Sequence, residues 1–523
     1  MVRLFDDWRA FESAPSREGV PDYTATTMAS QLEGLKGFRQ RLEAFNISDW
    51  PVAEQVDWHL LRAEMNGLEF NARVLKSWQR DPAFYTSVWT AQSDTPAHEG
   101  PTHHALIELW TYDFPLSPAA STQLATELGG IAPLLQQARI NLTGNARELW
   151  VGGITNIREQ ADALRELALR IPASDTVLHE AIDKALVATE SFISWLVEQS
   201  PSKNGPSGVS KEHYTWHLRN VLLVPLSWDE ERYLLRRELD RAHSTLKLVE
   251  HSNADLPPQV PIANEAEYAQ RAEQAVVDFR DFLVEKEVLP PYPYIEPALR
   301  GQMGRFVPAD QRNFFYMVSH HDLLALWTHW YHWFDLARME ADPHPSPVRR
   351  GALLYNIWMS RAEGMATGFE EMMLHAGLFD DTPRSRELVY IMLAQRAARG
   401  LGSLHAHANE YTLKEARDFH VEWTPRGWMR EDLDLLGFEQ LLYLRQPGYG
   451  TSYVTGKYMI ERLLAEVAHH QGKDFELRNF FAELDEAGVI PVSLIRWQMT
   501  GRDDEIKSMM SPQWQAWPGS QAD

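Results

Sequence analysis

The stretch 326–340, LWTHWYHWFDLARME, sets His329, His332 and Asp335 three residues apart among tryptophans and tyrosines. Imidazole and carboxylate groups bind zinc and other divalent ions, and they also serve as general acids and bases. On one regular helix starting near His321, at about 100° per residue, His321, Thr328, His332 and Asp335 share a narrow arc, with His329 roughly 80° away. His329, His332 and Asp335 can therefore converge on one point only if the helix is locally distorted or other segments supply ligands. The bland alternative is a helix end where the histidines stack on Trp327, Trp330 and Trp333.

A second stretch is SRAEGMATGFEEMMLHAG, 360–377. Glu363 and Glu370 are seven apart and share a helix face, while Gly364, Ala366 and Gly368 permit close approach of another helix. A glutamate on such a face is costly unless paired or bound to a cation. Glu363 is thus the stronger candidate, with Glu370 and Glu371 expected in solvent. The structural alternative is a buried salt bridge from Glu363 to Arg350, Arg361 or Arg396.

Two further stretches carry polar groups at helix ends. In 395–416, QRAARGLGSLHAHANEYTLKEA, Thr412 and Glu415 form a capping-box pattern. Just upstream, His405 is expected on the apolar side and His407 on the surface. In 444–463, LRQPGYGTSYVTGKYMIERL, Pro447, Gly448, Gly450 and Ser452 make a tight turn before a helix. A helix N-terminus offers free N–H groups to an anion, and Tyr449, Tyr453 and Lys457 would line that seat. The spacing is not that of a nucleotide loop.

The elements that must position these groups read as helices. Apolar residues recur three and four apart in 31–45, 54–75, 156–171 and 231–250, the amphipathic pattern. Strand-like alternation is confined to RNFFYMVS, 312–319, and EWTPRG, 422–427. Proline-rich stretches at 200–210, 252–264, 289–299 and 341–348 read as loops. We expect an all-α, multi-helix chain with at most a small β element near 312–319. It is read as one helical unit, 1–523, with an N-terminal part (1–200), a part carrying the site (201–465) and C-terminal helices and tail (466–523).

Composition narrows the function classes. The net charge of -23 argues against nucleic acid and against anionic membrane surfaces as partners. With no cysteine there is no disulfide scaffold, thiol nucleophile or Cys-ligated metal. The sequence shows no apolar leader and no run of about 18 apolar residues, so a cytoplasmic protein without a membrane span is expected. The 19 tryptophans fit either an aromatic pocket or thick helix–helix cores.

These stretches, in this order, resemble the bacterial domain-of-unknown-function family 885, a helical family similar to zinc-dependent peptidases of the gluzincin type. The resemblance runs over about residues 200 to 465 and rests on 206–222, 312–319, 360–372, 396–407 and above all QPGYGTSYVTGK, 446–457. It implies a multi-helix peptidase-like fold and a central His-Glu-x-x-Pro-Gly-His signature followed by a distant Glu-Gly-Trp-Ala. Here Glu363 stands in Glu-Gly-Met-Ala, but the central signature reads His329-Trp330-Tyr331-His332-Trp333-Phe334-Asp335. Trp330 occupies the place of the water-activating glutamate and Asp335 that of the final histidine. Matching His332 to the first histidine, a slip of three, is the other alignment.

From residues and resemblance together we expect an enzyme acting on a small, aromatic or carboxylate-bearing compound. By resemblance it is a hydrolase of amide or peptide bonds. A metal-independent lyase or isomerase and a non-catalytic binding protein are the alternatives. His329, His332, Asp335, Glu363 and Tyr453 are the expected catalytic groups. Trp330, Trp333, Arg396, His405, Tyr449 and Lys457 are expected to contact substrate. Any retained divalent ion (zinc, manganese or iron) would be held by His329, Asp335 and Glu363, with His332 as the substitute ligand, and the set with two carboxylates favours the harder ions. The other expectation is a pocket with no ion, filled by aromatics. A homodimer is a reasonable assembly.

Overall fold

The computed structural model describes residues 1–17, 19–94, 107–353 and 355–518. The chain forms two compact units, one of residues 1–46, 64–93 and 97–209, the other of 47–63, 94–96 and 210–523. Both are built from helices. Among the described residues the only strands are two tiny pairs: Ser16–Arg17 runs antiparallel to Val20–Pro21, and Val88–Trp89 runs parallel to Ile107–Glu108. No described helix is long and apolar enough to cross a membrane.

In the first unit the helices Arg147–Arg170 and Thr176–Gln199 pack together. Their apolar stripes, with Trp150, Leu164, Leu178, Phe192 and Leu196, close a single core. Full burial of each such side chain is worth about 1.5–3 kcal/mol. Trp150 satisfies its indole by donating to the Leu196 carbonyl at 3.0 Å.

The second unit holds every site residue expected from the sequence. Helix Trp228–Ser252, opened by a Ser227/Glu230 capping box, lies along helix Ser385–His407. Nearly every residue from Ser385 to His407 is buried, so its polar side chains need internal partners. Helix Met359–His375 lies against helix Tyr449–Gln471. Glycines allow that approach: a Cβ added to Gly364 would lie 2.4 Å from Gly456 Cα, and one on Gly456 would lie 2.1 Å from the Ser360 carbonyl oxygen.

Several local expectations are corrected. RNFFYMVS is no strand: Asn313 accepts a bond from the Tyr316 N–H and starts helix Phe314–His321. EWTPRG is the end of helix Leu413–Trp423 and a 3-10 turn, Pro425–Gly427. The Thr412/Glu415 capping box forms as read. Within the stretches read as loops, Ile295–Gly301 and Pro347–Arg350 are short helices, because proline is tolerated in a first turn.

Candidate metal centre

His329 lies in a 3-10 turn, Thr328–Trp330, that runs into helix Tyr331–Ala341. The tighter turn is the distortion that a regular helix lacked: in 3-10 geometry side chains three apart stack on one side. His329 and His332 therefore face the same point, with ring centroids 5.2 Å apart. Glu363 arrives from helix Met359–His375. His332 Nε2 is 3.0 Å from Glu363 Oε2 and His329 Nε2 is 4.0 Å from the same oxygen. The ligand atoms of all three residues lie within 4.8 Å of one another.

Ligands about 2.0–2.2 Å from a tetrahedral ion sit roughly 3.4 Å apart. The observed spacing needs only small side-chain adjustment to match. Two imidazoles and one carboxylate are a donor set that suits zinc, and it holds His332 where Asp335 was expected.

Asp335 is corrected as a ligand. One turn along the helix, it faces away from the cluster and pairs with Arg361, whose two terminal nitrogens stand 3.0 and 3.1 Å from its oxygens. Arg361 also bonds Asp485 at 2.9 Å. The three are buried together, and the single guanidinium offsets only part of the two carboxylates' charge, so burial pushes Asp485 up to about 6.

Two tyrosines close the cluster. Tyr449 donates to Glu363 Oε1 at 2.6 Å, and the Tyr453 ring stacks on His329 with centroids 6.1 Å apart. Both come from the first turns of helix Tyr449–Gln471, which begins after Gly448 at φ +87°. Behind Tyr453, the Arg399 guanidinium sits 4.0 Å over its ring.

Electrostatics follow from this packing. Burial depresses the His332 imidazole, yet the Glu363 carboxylate overrides it and lifts the group to about 9. Burial raises Glu363, but His332 and the Tyr449 hydroxyl hold it below the usual carboxylate range. Desolvation, with the Arg396 charge adding to it, holds the half-buried His329 well below the usual imidazole range. Burial pushes the Tyr453 phenol well up, with the Glu363 charge adding to it.

Other expected contacts fall elsewhere. Lys457, one turn beyond Tyr453, is buried in an ion pair with Glu371 at 2.9 Å, and Arg241 grips the same carboxylate. Glu370 and Glu371 are therefore buried and paired, not in solvent. Arg396 is committed to Glu370 at 2.6 and 2.8 Å, so it does not present itself to a substrate. His405 stacks on Tyr411 and bonds Glu410 at 2.7 Å. His407, expected on the surface, is buried and bonds the Tyr443 carbonyl at 2.9 Å. Trp330 stacks on Trp327, not on the histidines, and Trp333 is half-buried.

Asp94 was missed. It belongs to the second unit although it is far away in sequence. Desolvation raises its pKa, while the His332 charge pulls it down and Glu363 pushes it up, so its charge is felt at the cluster. No local motif could have marked it.

A model of the family described as "Bacterial protein of unknown function (DUF885)" matches residues 13–499. The chain belongs to the DUF885 family. Two solved structures share its fold. One is "a putative lipoprotein of unknown function" from Shewanella oneidensis, 17% identical, with a TM-score of 0.68 over 95% of this chain and 97% of that one. The other is a similarly described lipoprotein from Colwellia psychrerythraea, 14% identical, with a TM-score of 0.64 over 96% of each chain. No curated protein matches the chain. Glu363 and the segment that carries Tyr449 and Gly456 meet at one place.

Proposed function

We propose that this DUF885 protein is a metal-dependent hydrolase of an amide or peptide bond in a small substrate. The observation that carries the reading is the convergence of His329 Nε2, His332 Nε2 and Glu363 Oε2 around one point. His329, His332 and Glu363 would hold a divalent ion, zinc by donor type, which would supply Lewis acidity toward a water and a substrate carbonyl.

The chain's own residues divide the remaining work. Glu363 carries negative charge to the ion and is fixed by Tyr449. Trp330 cannot accept a proton, so the base comes from elsewhere. Asp94 is a carboxylate whose charge is coupled to both His332 and Glu363, and we assign it proton transfer. Tyr453 offers a phenol edge for a polar substrate atom, its ring held between His329 and Arg399.

One observation favours a second reading. His332 and Glu363 touch directly, at 3.0 Å, as a charged pair able to exchange a proton. A metal-independent lyase or isomerase would use that pair for acid–base chemistry. Metal content by inductively coupled plasma mass spectrometry separates the two. About one equivalent in wild type, lost in His329→Ala and Glu363→Ala, with chelator-sensitive cleavage of amides, is the expected result. Metal-free protein that retains turnover would overturn the hydrolase reading in favour of the second.

Location belongs to the same proposal. We carry a cytoplasmic site of action, and the description of the two structural neighbours as lipoproteins makes subcellular fractionation its test.

A further inference from the structure

Both imidazoles of the cluster bury an Nδ1 that, among the described residues, no hydrogen bond reaches. They differ in what stands beside it. His332 touches Glu363 through Nε2. His329 has its ring face against Tyr453, tilted only 14° from parallel. Its Nδ1 stands 2.9 Å from Glu370 Oε1, an ion-pair contact that a small rotation of the ring turns into a hydrogen bond. Its Nε2 is 4.0 Å from Glu363 Oε2.

Glu370 is itself fixed. Arg396 grips both of its oxygens, at 2.6 and 2.8 Å, and both side chains are fully buried. The contacts run in one line: Arg396 on helix Ser385–His407, Glu370 on helix Met359–His375, His329 on the 3-10 turn, and then the cluster. A carboxylate against the outer nitrogen of an imidazole fixes its tautomer and ring orientation and makes the inner nitrogen a better donor.

We infer that Glu370, clamped by Arg396, is a positioning residue that holds His329 Nδ1 protonated and its Nε2 aimed at the metal. The inference rests on the metal-dependent reading above. It gives Glu370 a role through His329 and none in touching substrate. It also makes His329 the pre-oriented ligand, while His332 is set by Glu363 and the ion.

The test is Co2+ affinity of the full chain by chelator competition, with the visible d–d spectrum as a second readout. Wild type is compared with Glu370→Gln, His329→Ala, their double variant and Glu387→Gln. Glu387 is an equally buried carboxylate that pairs with Arg384 at 3.0 Å near the start of the helix that carries Arg396, away from the cluster. We expect Glu370→Gln to weaken Co2+ binding roughly 10–100-fold and to alter the spectrum. We expect no further loss in the double variant beyond His329→Ala, and wild-type affinity in Glu387→Gln. Should Glu370→Gln not fold, Glu370→Asp withdraws the carboxylate from His329 by one methylene and is expected to shift affinity the same way. Wild-type affinity in the Glu370 variant, or an equal loss in Glu387→Gln, would overturn the positioning role and leave the metal site standing. No Co2+ binding by wild type would remove the hydrolase reading, and this inference with it.

Discussion

Gly364 and Gly456 meet backbone to backbone, so close that a Cβ on Gly364 would fall 2.4 Å from Gly456 Cα. That contact sets the depth at which Glu363, the residue before Gly364, enters the cluster. Gly364→Ala is expected to destabilise the protein by about 1–3 kcal/mol through overpacking. It should also lower metal affinity. Chemical denaturation and metal content measure the two effects, and an Ala variant with wild-type stability would contradict the packing argument.

Asp335 separates structure from ligation. Asp335→Asn removes a charge from the buried Asp335–Arg361–Asp485 group and is expected to cost about 1–3 kcal/mol, with Asp485 still pairing Arg361. Metal stoichiometry should stay at the wild-type value. Loss of metal in a folded Asp335→Asn protein would return this carboxylate to the site.

Tyr449→Phe deletes the 2.6 Å bond to Glu363 Oε1. A hydrogen bond to a charged group contributes about 1.5–3 kcal/mol, so metal-free protein should lose stability of that order in urea denaturation. Added metal should restore part of it by binding only the folded state. Equal urea midpoints for the two metal-free proteins would show that the phenol does not support the carboxylate.

Glu231 gives a pH-dependent prediction away from the site. It is fully buried and accepts bonds from Tyr214, Thr451 and Thr455, yet burial raises it from 4.5 to about 7. The folded state therefore holds a proton that the unfolded chain releases above its lower pKa. Stability from this group is intact below pH 4.5 and falls as pH rises to about 7, by roughly 3 kcal/mol in all. Glu231→Gln should match wild type near pH 4.5 and exceed it above pH 7. A constant difference across that range would be inconsistent with a raised pKa.

Much of this protein was legible in the sequence. Apolar residues three and four apart bury one stripe of a helix whatever its neighbours, so the all-helical class and the 231–250 helix, which runs Trp228–Ser252, followed directly, and the Thr412 cap followed from its capping-box spacing. So did Glu363, because a carboxylate among glycines and alanines must find a partner. Tertiary structure decided the rest. A 3-10 turn of three residues, not the helical period, brought His329 beside His332 and turned Asp335 toward Arg361. Packing against a helix buried all round placed Glu370 with Arg396 and put His407 in the interior. The chain path brought the Asp94 charge within electrostatic reach of His332 and Glu363. Periodicity reports which face of a helix is apolar. It carries no information on which distant side chains that face will meet, since that depends on how the helices cross and how closely their glycines let them approach.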